Sequence, residues 1–266
     1  MKQKPKAPKA PKVLVWDIET APIKAWTWGI WEANIGLNQI IEDWSVMAVA
    51  WKWLGEKKVH YMDTRKDPRN DSELLATIWK LLNEADFAVG QNSIKFDTRK
   101  INARLIQNGY GPYAPVRHID TMRQAKATGM FTSNKLEFLS KALTDTPKSA
   151  HGKYPGFALW AAALAGDVKA WNEMKRYNIR DVEATEQLYL KLRPWDKQHP
   201  SFVPYMEDAG QHRCTRCGST DLIKKGKRFT NAGEYTRLKC LGCGGWMTTR
   251  YTENSIGKRR SLLASQ

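Results

Sequence analysis

Asp17 and Glu19 are the first residues whose types and spacing could hold a metal ion. They lie two positions apart in Val13–Thr20, a short, apolar, β-branched run that predicts a buried strand, so both carboxylates point to the same face. Neighbouring carboxylates raise each other's pKa and lose hydration on burial, whereas a divalent cation would offset both effects. A strand end open to solvent would tolerate the pair as well, so the two acids alone leave both interpretations open.

Two later segments add two more carboxylates and a phenol. Asp97 follows a predicted strand over residues 86–89 and stands at the start of a predicted helix over residues 96–107. Tyr177 precedes Asp181 by four residues, which places both side chains on one helical face or at the junction of two short helices. Four acids and one tyrosine therefore lie in three separate segments of the chain.

These three segments resemble, in order and approximate spacing, the motifs of the DEDD exonuclease superfamily, also called DnaQ-like. WDIET is similar to the first motif, GQNSIKFD to the second and YNIRD to the third, and the resemblance covers roughly residues 13–193. Tyr177 stands four residues before Asp181, and Arg176 occupies the position where the other branch has a histidine. The chain therefore resembles the tyrosine branch, DEDDy, which includes the proofreading domains of family A and B DNA polymerases.

The resemblance implies a metal-dependent 3′-5′ exonuclease with an RNase H-like fold, which hydrolyses phosphodiester bonds and releases 5′-mononucleotides. It further implies that two Mg²⁺ or Mn²⁺ ions bind to four acidic ligands, namely Asp17, Glu19, Asp97 and Asp181. By the same resemblance Tyr177 would orient the attacking water, because a phenol with a pKa near 10 suits hydrogen bonding better than proton abstraction. These five residues are the expected catalytic set.

Three neighbours of these motifs are weaker candidates for contacts with the terminal nucleotide. Thr20 follows the first acidic pair, where the family often contacts the nucleotide through the backbone or a hydroxyl. Asn92 and Phe96 lie in the second motif and could touch a sugar or wedge against a base. A purely structural role fits each position equally well. Asp120 lies in a segment similar to a recurrent Asp-Thr of these proteins, and we do not expect it to bind metal.

A tryptophan-rich segment follows the first predicted strand and contains Trp26, Trp28 and Trp31. Aromatic side chains of this kind could form a platform on which unpaired bases stack. Tryptophans more often belong to the protein core, however, because they bury a large apolar area. We expect these three in the core and keep base stacking as the alternative.

All four cysteines form two C-x-x-C pairs, Cys214 with Cys217 and Cys240 with Cys243, separated by 22 residues. Pairs at this separation are typical of a zinc site, since each pair supplies two thiolates and the four complete a tetrahedron. The intervening residues resemble the strands of transposase-type zinc ribbons, and so small a unit would depend on one structural Zn²⁺ to fold. Disulfides are the alternative, which an intracellular chain disfavours.

Positive charge is concentrated at the two ends of the chain. The formal net charge is +16, but residues 13–210 contribute only +2 of it. The first twelve residues hold five lysines interleaved with prolines, and residues 211–266 hold 12 Lys/Arg against 3 Asp/Glu. Basic ends favour a polyanionic partner, here nucleic acid, although lysines that only aid solubility would give the same pattern. The cysteine module could also dock on a replication or recombination protein.

The order of the predicted elements indicates an α/β fold, with a mixed sheet flanked by helices on both faces. Together with the resemblance, this pattern predicts an RNase H-like domain plus a small zinc-ribbon module. The expected division of the chain is a flexible basic arm over 1–12, an exonuclease domain over 13–193, a linker over 194–211, a zinc ribbon over 212–250 and a basic tail over 251–266.

The sequence has no run of 18 apolar residues and no apolar segment after its N-terminal lysines, so we expect neither a membrane span nor a secretory signal. We expect a cytoplasmic protein of a bacterial or phage-infected cell. The leading hypothesis is an exonuclease acting on DNA, single-stranded or frayed at its 3′ end, in replication, recombination or repair. An exoribonuclease and an inactive nucleic-acid-binding adaptor are the alternatives, since DNA and RNA present the same phosphate.

Overall fold

The computed structural model describes most of the chain, over residues 10–31, 34–146, 153–206 and 210–263. Most of the predicted basic arm lies outside the described residues, as do short parts of the predicted linker and tail. Two compact units divide the described residues: a larger unit from Lys12 to Lys191, and a smaller unit that contains the described residues from Leu192 onward together with those before Lys12. Among the described residues, no helix combines the length and the apolar character needed to cross a membrane.

The larger unit contains seven strands and six α-helices within the residues described. Its strands are β1 (Val13–Thr20), β2 (Lys24–Ala25), β3 (Ile40–Glu42), β4 (Val46–Trp53), β5 (His60–Asp63), β6 (Phe87–Gly90) and β7 (Arg117–Asp120). Its helices are α1 (Ser72–Glu84), α2 (Asp97–Gln107), α3 (Thr121–Thr128), α4 (Leu136–Leu143), α5 (Ala158–Leu164) and α6 (Val168–Leu192), the last ending one residue beyond the unit.

A five-stranded mixed sheet forms the centre of the larger unit, in the order β5-β4-β1-β6-β7. Strands β5, β4 and β1 pair antiparallel, whereas β1, β6 and β7 pair parallel. Strand β1 is therefore the central strand, and its apolar, β-branched sequence suits burial on both faces. The mixed sheet flanked by helices confirms the predicted α/β fold of the RNase H-like type.

The two faces of this sheet pack against different helices. On one face Trp16 and Ile18 of β1 belong to an apolar cluster that includes residues of α1 and α2. On the other face Met47 of β4 packs with residues of α5 and α6. Because successive side chains of a strand point to opposite faces, Asp17 and Glu19 are excluded from the first cluster and face the layer formed by α5 and α6.

The tryptophan-rich segment after β1 does not join either cluster. Trp26, Trp28 and Trp31 are each at least 75 % exposed, so the prediction that they belong to the core is wrong. The physical reason is that β2 pairs only with β3, in a separate two-stranded sheet outside the five-stranded one. Base stacking by these tryptophans stays a prediction.

The smaller unit contains a three-stranded antiparallel sheet in the order β10-β9-β8. Its elements are β8 (Leu222–Phe229), β9 (Glu234–Cys240), β10 (Trp246–Thr248) and the short helix α7 (Ile256–Ser261). Cys214 and Cys217 precede β8, while Cys240 ends β9 and Cys243 lies in the turn that leads to β10. The sheet thereby brings the two cysteine pairs to the same end.

Candidate functional site

Strand β1 presents two carboxylates at its C-terminal end. Glu19 is buried and Asp17 is half-buried, while Ile18 between them points into the apolar core. The pairing of β1 with β4 shifts register between Glu19 and Thr20, so the strand is irregular directly after the acidic pair. Thr20 itself lies opposite Val46 at this irregularity. The same-face prediction for the two acids agrees with these positions.

Asp97 joins the acidic pair from helix α2. It is the first residue of that helix, only 3 % exposed, and its Oδ1 accepts a hydrogen bond from the backbone N–H of Ile18 at 3.1 Å. Burial raises the pKa of Asp97 to about 7, and the negative charge of Asp120 adds to the rise, while the Ile18 amide opposes it. A cation beside this carboxylate would remove the cost of keeping it charged.

Helix α6 supplies the third segment of the site. Tyr177 and Asp181 lie one turn apart and are both buried. Asp181 and Asp17 line the same cavity, of about 270 Å³, together with Gln91, Lys135 and other residues. The structure thus brings Asp17, which belongs to β1, next to the last of the predicted acids.

Two residues that the sequence motifs did not identify hold the acidic pair in place. Asn178, fully buried on α6, donates from Nδ2 to Asp17 Oδ2 at 2.7 Å and to the Asp17 carbonyl at 3.3 Å. Trp160 of α5 donates from Nε1 to Glu19 Oε2 at 3.0 Å, and its ring packs edge-on against Tyr177 with centroids 6.4 Å apart. Both carboxylates therefore have positioned neutral donors. No pattern in the sequence pointed to either donor, because the contacts cross more than a hundred positions of chain.

The acidic residues suit hard divalent cations. Carboxylate oxygens are the ligands that Mg²⁺ and Mn²⁺ prefer, and a buried carboxylate with a raised pKa gains most from a cation. Among the described residues, no three acidic side chains bring ligand atoms within 4.8 Å of one another. Ligands shared between two ions roughly 3.5–4 Å apart do not need to meet that spacing. The binding of two ions by these acids therefore stays a prediction.

The weaker candidates of the second motif lie close to this cluster in the chain. Asn92 has a left-handed backbone with φ of 59°, and its N–H donates to Asp120 Oδ1 at 3.0 Å. The same Asp120 carboxylate accepts from the N–H groups of Met122 and Arg123 and so caps α3. Asp120 is thus engaged by backbone amides, and its lack of a role in metal binding stays a prediction. Phe96 is partly exposed before α2 and lies 5.9 Å from the Lys100 ammonium.

The four cysteines form a second potential cation site. Their sulfur atoms all lie within 4.8 Å of one another, and Cys214–Cys243 and Cys217–Cys240 each have Sγ atoms 3.6 Å apart. Tetrahedral zinc with Zn–S bonds near 2.3 Å would separate its sulfurs by about 3.8 Å. The four thiols therefore have the spacing and the chemistry to hold one zinc ion.

Comparisons with known proteins bear on the larger unit. The family model of the RNase_H superfamily matches residues 36–193, which begins after β1 and includes Asp97, Tyr177 and Asp181. No curated protein matches the chain. A solved structure of the family B DNA polymerase from the hyperthermophilic archaeon Pyrobaculum calidifontis matches at 14 % identity and a TM-score of 0.48, over 72 % of this chain and 27 % of the polymerase.

The chain thus spans about a quarter of the length of that polymerase. At this level of similarity, the match adds nothing on activity, substrate or partners. The family model, in contrast, covers more than half of the chain and most of the elements that carry the acidic cluster. This protein belongs to the RNase H superfamily.

Proposed function

We propose that this protein is a metal-dependent nuclease, and more narrowly a DEDDy-type 3′-5′ exonuclease that acts on DNA and releases 5′-mononucleotides. The observation that carries the proposal is the convergence of Asp17, Asp97 and Asp181 around one strand of an RNase H-type sheet. The three acids come from β1, α2 and α6, and Asp97 reaches β1 through the Ile18 amide. Buried acids from three separate elements meet at one place when a cation offsets their charge.

The proposed reaction gives a separate role to each acidic residue of the cluster and to the side chains that contact it. Asp17, Glu19, Asp97 and Asp181 hold the cations, and bound Mg²⁺ or Mn²⁺ would acidify a water and stabilise the leaving 3′ oxygen. Asn178 fixes the orientation of Asp17, and Trp160 fixes that of Glu19. Tyr177, whose ring is held by Trp160, would direct its hydroxyl toward the attacking water.

The remaining parts of the chain would serve the same reaction. Residues 13–193 form the proposed catalytic domain, residues 194–211 a linker, residues 212–250 a zinc ribbon and residues 251–266 a basic tail. Zinc bound to the four thiolates would supply folding free energy to the ribbon. The basic excess of the C-terminal region supports contact with nucleic acid, and Thr20, Asn92 and Phe96 remain proposed contacts for the terminal nucleotide.

The test follows the products of matched DNA and RNA substrates. Single- and double-stranded oligonucleotides of one sequence, labelled at either end, are incubated with the full chain and Mg²⁺ or Mn²⁺. We expect 5′-labelled DNA to shorten one nucleotide at a time, and 3′-labelled DNA to release a labelled mononucleotide at once. An Asp97→Asn chain, which keeps the size and an oxygen acceptor for the Ile18 amide, is the control and should release nothing.

Each other outcome points to a different activity. Internal fragments from both labels would indicate an endonuclease, and cutting of RNA alone would indicate an exoribonuclease. Binding without cutting, under both metals, would indicate the inactive adaptor. Equal cutting by wild type and Asp97→Asn would mean that the acidic cluster is not the active site.

A further inference from the structure

A cavity of about 790 Å³ lies within the smaller unit, and none of the four cysteines is among its lining residues. Its walls come from the stretch after α6, which contributes Trp195 and Lys197, and from the sheet, which contributes Arg228, Arg237 and Trp246. Pockets of about 300–1,000 Å³ are the size that takes small organic ligands. The cavity is therefore large enough to accept a group the size of a nucleotide.

The charged residues that line this cavity are all positive. Lys197, Arg216, Arg228 and Arg237 line the cavity, and none of the described lining residues is acidic. Asp196 is the nearest acid in the sequence, but it is buried and its Oδ1 accepts from the Gln198 N–H at 2.8 Å. The cavity therefore favours an anion.

Two of these arginines are held in place by backbone carbonyls rather than by acids. Arg216 donates from Nε to the Asp196 carbonyl at 3.0 Å, and Arg237 donates from Nε to the Lys225 carbonyl at 2.9 Å. These bonds use part of the five N–H donors of each guanidinium and leave the positive charge without an acidic counterpart in the lining. A fixed guanidinium is well suited to phosphate oxygens.

Lys227 lies on the same sheet but differs from the cavity arginines in its ion pairing. It forms ion pairs with Glu234 and Glu253, so its charge is already balanced within the protein. The positive residues of this sheet are therefore not equivalent. Arg228 and Arg237 have no acidic side chain beside them in the cavity lining, whereas Lys227 has two acidic partners.

The cavity also offers flat aromatic surface. Trp246 is 46 % exposed, with the Arg237 guanidinium 5.2 Å and the Lys239 ammonium 5.9 Å from its ring. Trp195 is 72 % exposed and lines the same cavity. Exposed tryptophans among cations are the combination that binds unpaired bases by stacking and their phosphates by charge.

We propose that this cavity binds single-stranded nucleic acid, with an unpaired base stacked on Trp246 and its neighbouring phosphates contacted by Arg216, Arg228 and Arg237. A duplex end would not enter in this way, because its bases are already paired and stacked. The inference rests on the proposed function in so far as the bound strand is the substrate of the nuclease. It adds a strand-binding site in the smaller unit and a preference for unpaired bases.

The test measures binding by the full chain carrying Asp181→Asn, so that the probe is not cut. The probes are a fluorescein-labelled oligothymidylate and a blunt DNA duplex of the same length, titrated at fixed salt by fluorescence anisotropy. Replacing Trp246 by Ala should weaken single-strand binding roughly 5- to 150-fold, the range that corresponds to the loss of one stacked base. Duplex binding should change less than about twofold, since stacking makes no contribution to it.

Matched controls separate the cavity from the rest of the sheet. Tyr251→Ala removes an exposed aromatic outside the cavity and should leave single-strand binding unchanged. Arg237→Gln should reduce binding, whereas Lys227→Gln should not, because Lys227 is already paired. Trp246→Phe should restore most of the affinity. Retention of one zinc per chain in each variant shows that the smaller unit is still folded.

Three results would overturn the proposal. These are unchanged single-strand binding by Trp246→Ala, an equal loss for duplex and single strand, or displacement of the probe by polyglutamate as effectively as by unlabelled oligothymidylate. The last result would assign the cavity to an acidic protein. Failure of the nuclease proposal would give a different result: the chain that retains Asp181 would bind the probe without cutting it.

Discussion

The acidic cluster of the larger unit and the cysteine cluster of the smaller unit differ in how far apart their members lie in the sequence. The acids extend from Asp17 to Asp181 and are carried by a sheet with an apolar cluster on each face. The cysteines fall between Cys214 and Cys243, in a unit with few buried apolar residues. We therefore expect a cation to have a different role in each place: the larger unit would fold around its own core, whereas the smaller unit would depend on a bound metal to fold.

Removal of zinc should have the largest effect. Structural zinc contributes apparent binding free energies of about 10–16 kcal/mol in comparable small units, so its loss should unfold the smaller unit while the larger unit stays folded. Cys217→Ser, or treatment with a zinc chelator, makes the change. Limited proteolysis with mass spectrometry should then show cleavage after residue 211 and a protected fragment that contains β1 to α6. A chelated chain that resists proteolysis throughout would show that the two clusters do not differ in this way.

Loss of an acidic residue should abolish activity without unfolding the chain. Asp181→Ala should lower the rate of 3′-end hydrolysis by about 1000-fold or more, because cation stabilisation of the transition state is worth several kcal/mol. Circular dichroism and the thermal midpoint of the larger unit should remain close to those of the wild type. A rate within tenfold of wild type would remove Asp181 from the active site.

Tyr177→Phe should have a smaller effect than Asp181→Ala. The phenol is proposed only to orient water, and positioned proton-transfer groups contribute roughly 10²- to 10⁴-fold at most. We expect a loss of about 10- to 1000-fold with an intact ring packed against Trp160. Single-turnover rates of the two variants on one substrate make the comparison. Equal losses would mean that Tyr177 does more than orient water.

Removal of nearly all of the smaller unit should weaken binding but leave hydrolysis at low salt. A chain ending at Pro194 keeps all the proposed acidic ligands and loses the region from residue 211 onward, which holds 12 Lys/Arg against 3 Asp/Glu. Each lost phosphate contact should flatten the logarithmic salt dependence of binding by about 0.7 units for a single strand or 0.9 for a duplex. An unchanged slope and an unchanged affinity would point to a protein partner for the smaller unit.

The smallest expected effect concerns stability without divalent cations. Burial raises the pKa of Asp97 to about 7, so the folded chain holds its proton more tightly than the unfolded chain does, and stability falls as pH rises from about 4 to about 7. Asp97→Asn removes this titration. Its thermal midpoint should therefore match wild type near pH 4 and exceed it progressively up to pH 7, in scans without added Mg²⁺. A constant difference across this range would contradict the burial argument.

Local spacing in the sequence was sufficient to predict several features of this molecule. The period of two along a strand places Asp17 and Glu19 on one face, and the structure keeps Ile18 between them in the core. The predicted helix over residues 96–107 corresponds to α2, which begins one residue later and ends at the same residue. Paired C-x-x-C motifs predicted a group of four thiols, which the structure brings within 4.8 Å. Each of these predictions depends only on residues that lie close together in the sequence.

Tyr177 was predicted to share a face with Asp181 because four residues make about one helical turn. That prediction did not include Asn178, whose amide reaches Asp17 across the larger unit. It also did not include Trp160, since no pattern in the sequence predicted α5. The sequence also did not predict the exposure of Trp26, Trp28 and Trp31. A residue type has only a general tendency to be buried, and the residues that pack around it in the fold decide whether it is buried.

By itself the sequence determined many of the elements, although not α5, together with the faces that their side chains occupy and the cysteine cluster, whose members lie close together in the sequence. Only the tertiary structure decided which distant elements meet: α2 with β1 through the Ile18 amide, and α6 with β1 through Asn178. The tertiary structure also decided which positive charges are balanced within the protein. Lys227 and Arg237 are both basic residues of one sheet, but only Lys227 has an acidic side chain beside it. Backbone periodicity is a local property, whereas desolvation and pairing depend on atoms that folding brings together from remote parts of the chain.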